Sequence, residues 1–161
     1  MNLILCGHKA SGKTTLAKAY SEAFAYNYLD TDALILNAQT THTTIPDLYR
    51  ALGETRFRAL EATCIQAITP TQNTVIATGG GSVLDTNNIT HLKSLGPLIY
   101  LDVTENIRAQ RLSTQDTAIK TNTSQRDAIY HRISDYVLDA THQSIKQLIT
   151  ELHNHRCHHG E

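Results

Sequence analysis

The chain has 161 residues, 40% of them hydrophobic, with 14 basic and 15 acidic residues and a formal charge of -1. That length suits a single domain spanning 1–161, and the balanced charge, free of any long like-charge block, excludes the broad basic face of a nucleic-acid binder. Cys6, Cys64 and Cys157 are scattered without a Cys-x-x-Cys pair, and no run of about 18 apolar residues occurs, so a disulfide framework, a structural zinc, export and membrane insertion are all disfavoured.

In chain order, Asn2 to Cys6 reads as a short buried strand that stops at Gly7, and Lys13 to Ala25 as a helix with Leu16, Ala17, Tyr20 and Phe24 at helical spacing. Tyr26 to Leu29 is a second strand, and Asp30-Thr31-Asp32 stands where a helix opens, carboxylates being favoured at its positive end. Pro46 suits the first turn of a helix through Leu52; Gly53 interrupts it and Glu54 to Thr69 resumes. Thr74 to Thr78 is a third strand, halted by Gly79-Gly80-Gly81. A helix over Thr86 to Leu95 leads through Pro97 to the strand Leu98 to Val103, and Thr104 caps a helix through Leu112.

Ser113 to Ser124 is rich in threonine and serine, has two aliphatic residues, and reads as a mobile lid. Helix is expected from Arg126 to Tyr136, a last short strand at Val137 and Leu138, and an amphipathic helix from Ser144 to Leu152. His153 to Glu161 reads as a frayed tail, and its histidines are assigned no metal. Strands alternating with helices imply βαβ units and a parallel sheet of about five strands covered on both faces, a three-layer α/β fold.

Gly7-His8-Lys9-Ala10-Ser11-Gly12-Lys13-Thr14 satisfies G-x-x-x-x-G-K-[ST] between a strand and a helix, the context that motif requires. Its glycines free backbone N–H groups to converge on an anion, Lys13 can neutralise β and γ phosphates, and Thr14 can ligate magnesium. Gly7, Ala10, Ser11, Gly12, Lys13, Thr14 and Thr15 are therefore the expected ATP cradle. His8 and Lys9 fall at free positions of the motif and are given no role.

A phosphate loop does not identify the acceptor. Leu29-Asp30-Thr31-Asp32, Gly53-Glu54-Thr55-Arg56-Phe57-Arg58 through Glu61, and Ala77-Thr78-Gly79-Gly80-Gly81-Ser82 follow it in an order that resembles the signature blocks of the shikimate kinase family. The likeness runs strongly from about residue 3 to 103, with a weaker element at Arg132 to Tyr136 that resembles the family's Arg-x-x-x-Tyr.

The resemblance implies a P-loop kinase fold with an acceptor-binding helical region at about 31–61 and a lid at about 113–124. It also implies transfer of the ATP γ-phosphoryl group to the 3-hydroxyl of shikimate in aromatic-compound biosynthesis. By resemblance Asp30 helps organise one Mg2+ with Thr14, and Asp32 holds the acceptor hydroxyls and serves as base. Arg58 and Arg132 clamp the acceptor carboxylate, as planar guanidinium forks suit. Independently of the resemblance, Gly79, Gly80 and Gly81 end an apolar strand at the edge where α/β proteins bind ligands, so their missing side chains let backbone amides approach the acceptor or the γ phosphate. Glu61, one helical turn from Arg58, steadies it. Arg111 matches the arginine that packs on adenine.

Two departures stand out. The family's lid carries an Arg-Pro-Leu segment, whereas Ser113 to Ser124 contains Lys120 and no arginine and is several residues shorter, so slower turnover is expected; Arg126 could also fold inward. Ala38 to Ile45 is threonine-rich and lacks the usual glycine. The expected protein is a cytoplasmic monomer that binds ATP and shikimate, without nucleic-acid or membrane partners. A kinase of gluconate or of a nucleoside monophosphate, and a silent nucleotide-binding regulator, remain alternatives.

Overall fold

The computed structural model describes residues 1–39, 44–69, 71–112 and 123–159. Five parallel strands form one sheet: β1 (Leu3–Cys6), β2 (Asn27–Asp30), β3 (Thr74–Ala77), β4 (Leu98–Asp102) and β5 (Tyr136–Asp139). Their order across the sheet is β2-β3-β1-β4-β5. The three inner strands are nearly continuous apolar runs, as a sheet covered on both faces demands, and the edge strands are partly exposed.

Alternate residues of each strand face opposite layers, and the core divides accordingly. Leu3, Leu5, Val75, Ala77, Ile99 and Leu101 meet Leu16, Ala17 and Tyr20 of α1 (Lys13–Phe24) and Leu148 and Leu152 of α8 (Ile145–His159). Ile4, Cys6, Ile76, Leu98 and Tyr100 meet Ile65 of α4 (Glu54–Gln66), Leu92 and Leu95 of α5 (Thr86–Leu95), and Tyr130 of α7 (Thr123–Ile133). Leu3, Ile4 and Leu5 have no exposed surface, so truncating any one to alanine would cost about 2–5 kcal/mol. A smaller third cluster, Ile35, Leu48 and Phe57, joins α2 (Thr31–Asn37) and α3 (Ile45–Leu52) to α4. The sixth helix in chain order, α6 (Glu105–Arg111), follows β4.

Local chemistry sets the boundaries. Asp30 caps α2 by accepting from the N–H groups of Asp32 and Ala33, Thr44 caps α3 at the N–H of Asp47, and Asp85 caps α5 at Asn87 and Asn88. Gly53, at φ 73°, separates α3 from α4 in a left-handed conformation that favours glycine.

Two expectations at the C-terminal end change. Helix α7 ends at Ile133 rather than Tyr136, because the Asp135 backbone and carboxylate both bind Leu98, N–H to O and N–H to Oδ2, each at 2.8 Å. That pairing starts β5 at Tyr136. The tail expected to fray continues α8 through His159: His153 stacks on Phe24 at 3.9 Å and bonds Tyr20, and His155 stacks on Tyr136 at 3.8 Å. The lid segment lies outside the described residues up to 122, Lys120 with it, and Thr123 and Ser124 open α7. No described helix is long and apolar enough to cross a membrane.

Candidate active site

The carboxyl ends of β1, β2 and β3 deliver the phosphate loop, the Asp30 to Asp32 turn and the triple glycine to the same edge of the sheet, where α/β proteins bind ligands. They line one cavity of about 690 Å³. It holds Lys13, Thr14, Asp30, Asp32, Arg58 and Gly79 to Gly81, and α6 and α7 add Arg108 and Arg126.

The loop leaves β1 at Gly7, where φ is 144° and a Cβ would lie 2.9 Å from the Leu101 carbonyl. Glycine is required there by space and by backbone. Ala10 and Gly12 take left-handed conformations, and α1 starts directly behind them. Lys13 folds back into the loop, its Nζ donating to the carbonyls of Gly7 at 2.9 Å and His8 at 2.6 Å. Burial pushes its ammonium down to about 8, against the raising influence of Asp32. Arg111 lies outside the loop, with Nη1 donating to the carbonyls of Ala10 and Ser11, both at 3.3 Å. Ser11 is buried, and Thr15 is on the cavity wall.

Asp30 joins two parts of the site. Its Oδ2 accepts from Thr14 Oγ1 at 3.0 Å and from the Tyr28 hydroxyl at 2.9 Å, and its Oδ1 accepts from Asp32 N at 2.9 Å. Asp32, one residue into α2, turns toward Gly79. Burial first, and then the charge of Asp30, raise its carboxyl to about 6, well above the usual range.

The triple glycine is matched to its surroundings by size. A Cβ at Gly79 would fall 2.6 Å from Asp32 Oδ1, one at Gly81 would overlap the Arg58 guanidinium, and one at Gly80 would crowd the Lys9 backbone at 3.2 Å. Side chains would close the space between the base candidate, the arginine and the phosphate loop. The Gly79 N–H is held by Thr31 Oγ1 at 2.9 Å, and Tyr130 donates to the Gly80 carbonyl.

Arg58 donates from Nη1 to Glu61 Oε2 at 2.6 Å, and Glu61 Oε1 accepts from Ser82 Oγ at 3.0 Å. Glu61 is therefore a buried strut. The Arg58 Nε is buried without a partner, an expensive state that an incoming acceptor oxygen would relieve.

Arg132, expected in the acceptor clamp, stands apart from this cavity. It is exposed and outside the cavity wall, while Arg126, one helical turn before the buried Tyr130, is on that wall. Residues four apart share a helix face and residues two apart do not, so the face that buries Tyr130 carries Arg126 inward and Arg132 outward. The buried tyrosine, read as a helix anchor, was the available signal.

His8 and Asp127 also went unassigned from sequence. His8 is buried, bonds Asp127 Oδ1 at 2.6 Å and meets the Tyr130 ring edge-on at 4.9 Å. Burial holds its imidazole below the ordinary value against the opposing bond to Asp127. Tyr100 also donates to Asp127 Oδ1, at 2.9 Å. The phosphate loop, β4 and α7 thus meet at one carboxylate, beside Arg126.

Comparison with known proteins gives a consistent pattern. The family model described as shikimate kinase matches residues 9–155. The chain is 31% identical over 153 residues to shikimate kinase 2 of Yersinia enterocolitica, covering 86% of each protein. It is 31% identical over 167 residues to shikimate kinase 2 of Serratia proteamaculans, covering 93% of this chain and 94% of that one. A solved shikimate kinase from Acinetobacter baumannii in complex with shikimate superposes with a TM-score of 0.85 at 24% identity, over 98% of this chain and 93% of that one. Shikimate kinase from Aquifex aeolicus gives 0.81 at 23% identity over all of both chains. These last two likenesses show the shared five-stranded fold.

Proposed function

The chain belongs to the shikimate kinase family, and from that premise we propose that it transfers the γ-phosphoryl group of ATP to the 3-hydroxyl of shikimate. The products are ADP and 3-phosphoshikimate. The observation that carries this reading is the single cavity that joins the phosphate loop to Asp32, Gly79 and the unsatisfied Arg58 Nε.

In the acceptor half, Asp32 accepts the hydrogen of the attacking hydroxyl and fixes its orientation toward the γ phosphorus. A carboxyl raised to about 6 is still ionised at neutral pH, yet a better proton acceptor than an ordinary aspartate. Arg58 and Arg126 hold the acceptor carboxylate, with Glu61 fixing Arg58 from behind. Gly79 to Gly81 leave the space that the acceptor ring fills.

In the nucleotide half, the loop N–H groups and Lys13 take the phosphates. Among the described residues Lys13 has only carbonyls and a weak contact to Ser11 Oγ as partners, and exchanges them for phosphate oxygens. Thr14 Oγ1 and Asp30 Oδ2, two hard oxygen donors 3.0 Å apart, fit Mg2+, which is commonly held by one or two protein oxygens together with substrate phosphates. When bound, that ion supplies charge to the departing oxygens. The free thiols of Cys6 and Cys64 suit the reducing cytoplasm where we place the reaction.

ADP release with MgATP and shikimate, run beside gluconate, a nucleoside monophosphate mixture and no acceptor, tests the proposal. Shikimate-dependent turnover is expected; turnover with another acceptor alone, or with none despite ATP binding, overturns it.

A further inference from the structure

Arg108 carries a buried cation whose purpose the fold does not explain. It sits in α6, is 7% exposed, and lines the cavity with Lys13 and Gly12. Its Nε donates to the Val103 carbonyl at 2.9 Å, which fixes the guanidinium plane. Among the described residues its two terminal amino groups have no hydrogen bond and no ion pair. Asp127 is near enough to feel this charge but forms no ion pair with it, and burying a cation without a directly paired anion is costly, so the position implies an anion that arrives with the substrate.

The surroundings of Arg108 narrow that anion. Its charge acts on Lys13, His8, Asp127 and Tyr130, which together span the gap between the phosphate loop and α7. Tyr130 in turn donates to Gly80, so this gap opens toward the triple glycine. Two further arginines near the cavity are occupied elsewhere, Arg111 on the outside of the loop and Arg58 on Glu61, and Arg126 is assigned to the acceptor carboxylate. The sequence between Leu112 and Gln125 contains no arginine.

We propose that Arg108 is a catalytic residue of this kinase, contacting the γ-phosphoryl group with its two free amino groups while Nε stays anchored to Val103. This rests on the kinase reading above. As the acceptor oxygen forms its bond to phosphorus and the bond to the bridging oxygen breaks, the electron pair leaves on ADP and the acceptor proton passes to Asp32. Charge on the equatorial oxygens must be held throughout, and a guanidinium pinned at Nε holds it with little reorganisation. A helix thus supplies, from a fixed frame, a charge that a flexible segment would have to order first.

The test compares affinities of the full chain for MgADP and for the Mg complex of the β,γ-imido analogue of ATP, by calorimetry, in wild type, Arg108→Gln and Arg108→Lys. Arg108→Gln should lose about tenfold or more for the imido analogue and under about twofold for ADP, with kcat down at least about 100-fold and the shikimate KM little changed. Arg108→Lys should recover part of the kcat. If Arg108→Gln fails to fold, Arg108→Lys carries the comparison, with a smaller selective loss expected for the imido analogue because a point charge replaces the fork. Equal losses for both nucleotides would mean a purely structural anchor, and no loss for either would mean no phosphate contact; both overturn the proposal. A wild type that shows no shikimate-dependent turnover removes the acceptor assignment, while the two nucleotide affinities still decide the role of Arg108.

Discussion

Asp32 and Gly79 are packed so closely that a single added methyl at Gly79 would lie 2.6 Å from the Asp32 carboxylate oxygen. The acceptor side of the site is therefore shaped as much by absent side chains as by charged ones. Gly79→Ala should lower kcat/KM for shikimate at least about tenfold through displacement of the carboxylate, with a stability loss of about 1–3 kcal/mol. Steady-state kinetics beside thermal unfolding would check this, and unchanged kcat/KM would show that the carboxylate has room to move.

The carboxyl of Asp32, raised from 3.8 to about 6, binds its proton more tightly in the folded chain than in the unfolded one. The stability this lends is fully present below pH about 4 and is lost as pH rises through about 6. Asp32→Asn escapes that loss. At pH 8 the variant should unfold no earlier than wild type, while turnover falls by about 100-fold or more. In wild type kcat/KM should rise with pH through about 6 as the base ionises. Near-normal turnover in Asp32→Asn would remove Asp32 from the chemistry.

Lys13, lowered to about 8 in the unliganded protein, gives a second pH signature. Phosphate binds the ammonium form, so nucleotide affinity should be level below pH about 7.5 and weaken up to tenfold per unit above about 8. Calorimetric titration with ADP from pH 7 to 9.5 measures this. A flat profile would mean that Lys13 keeps its proton whether or not phosphate is present.

Arg126 and Arg132 differ in position by one helical face, and their variants should differ in kinetics. Arg126→Ala is expected to raise the KM for shikimate by about tenfold or more, as loss of a charge-assisted hydrogen bond does, with ATP affinity retained. Arg132→Ala should stay within about twofold of wild type. The reverse ranking would restore Arg132 to the acceptor clamp.

The far end of α8 is open to a direct test. His153→Ala removes the stack on Phe24 and the bond to Tyr20 and should cost about 1–2 kcal/mol in urea unfolding, without changing kcat. A neutral result would mean that the helix beyond Leu152 contributes nothing to the fold.

Much of this protein was legible along the chain because its signals are local. The run Gly7 to Thr14, the apolar strands β1, β3 and β4, and the cap at Asp30 depend on spacing and on neighbouring backbone, so they survive without a third dimension, whereas Thr104 precedes α6 without a side-chain capping bond. The resemblance placed Asp32, Arg58 and the triple glycine in one site, and all line one cavity. What tertiary structure alone decided is which polar side chains face that cavity. Arg126 rather than Arg132 faces it because Tyr130 is buried; α8 continues because Phe24 and Tyr136 offer rings to two histidines; and Arg108 is a sequestered cation because α6 lays it against Val103. Each of these depends on contacts between residues distant in the chain or on the rotation of a helix against its neighbours. Residue identity specifies neither, and only packing resolves them.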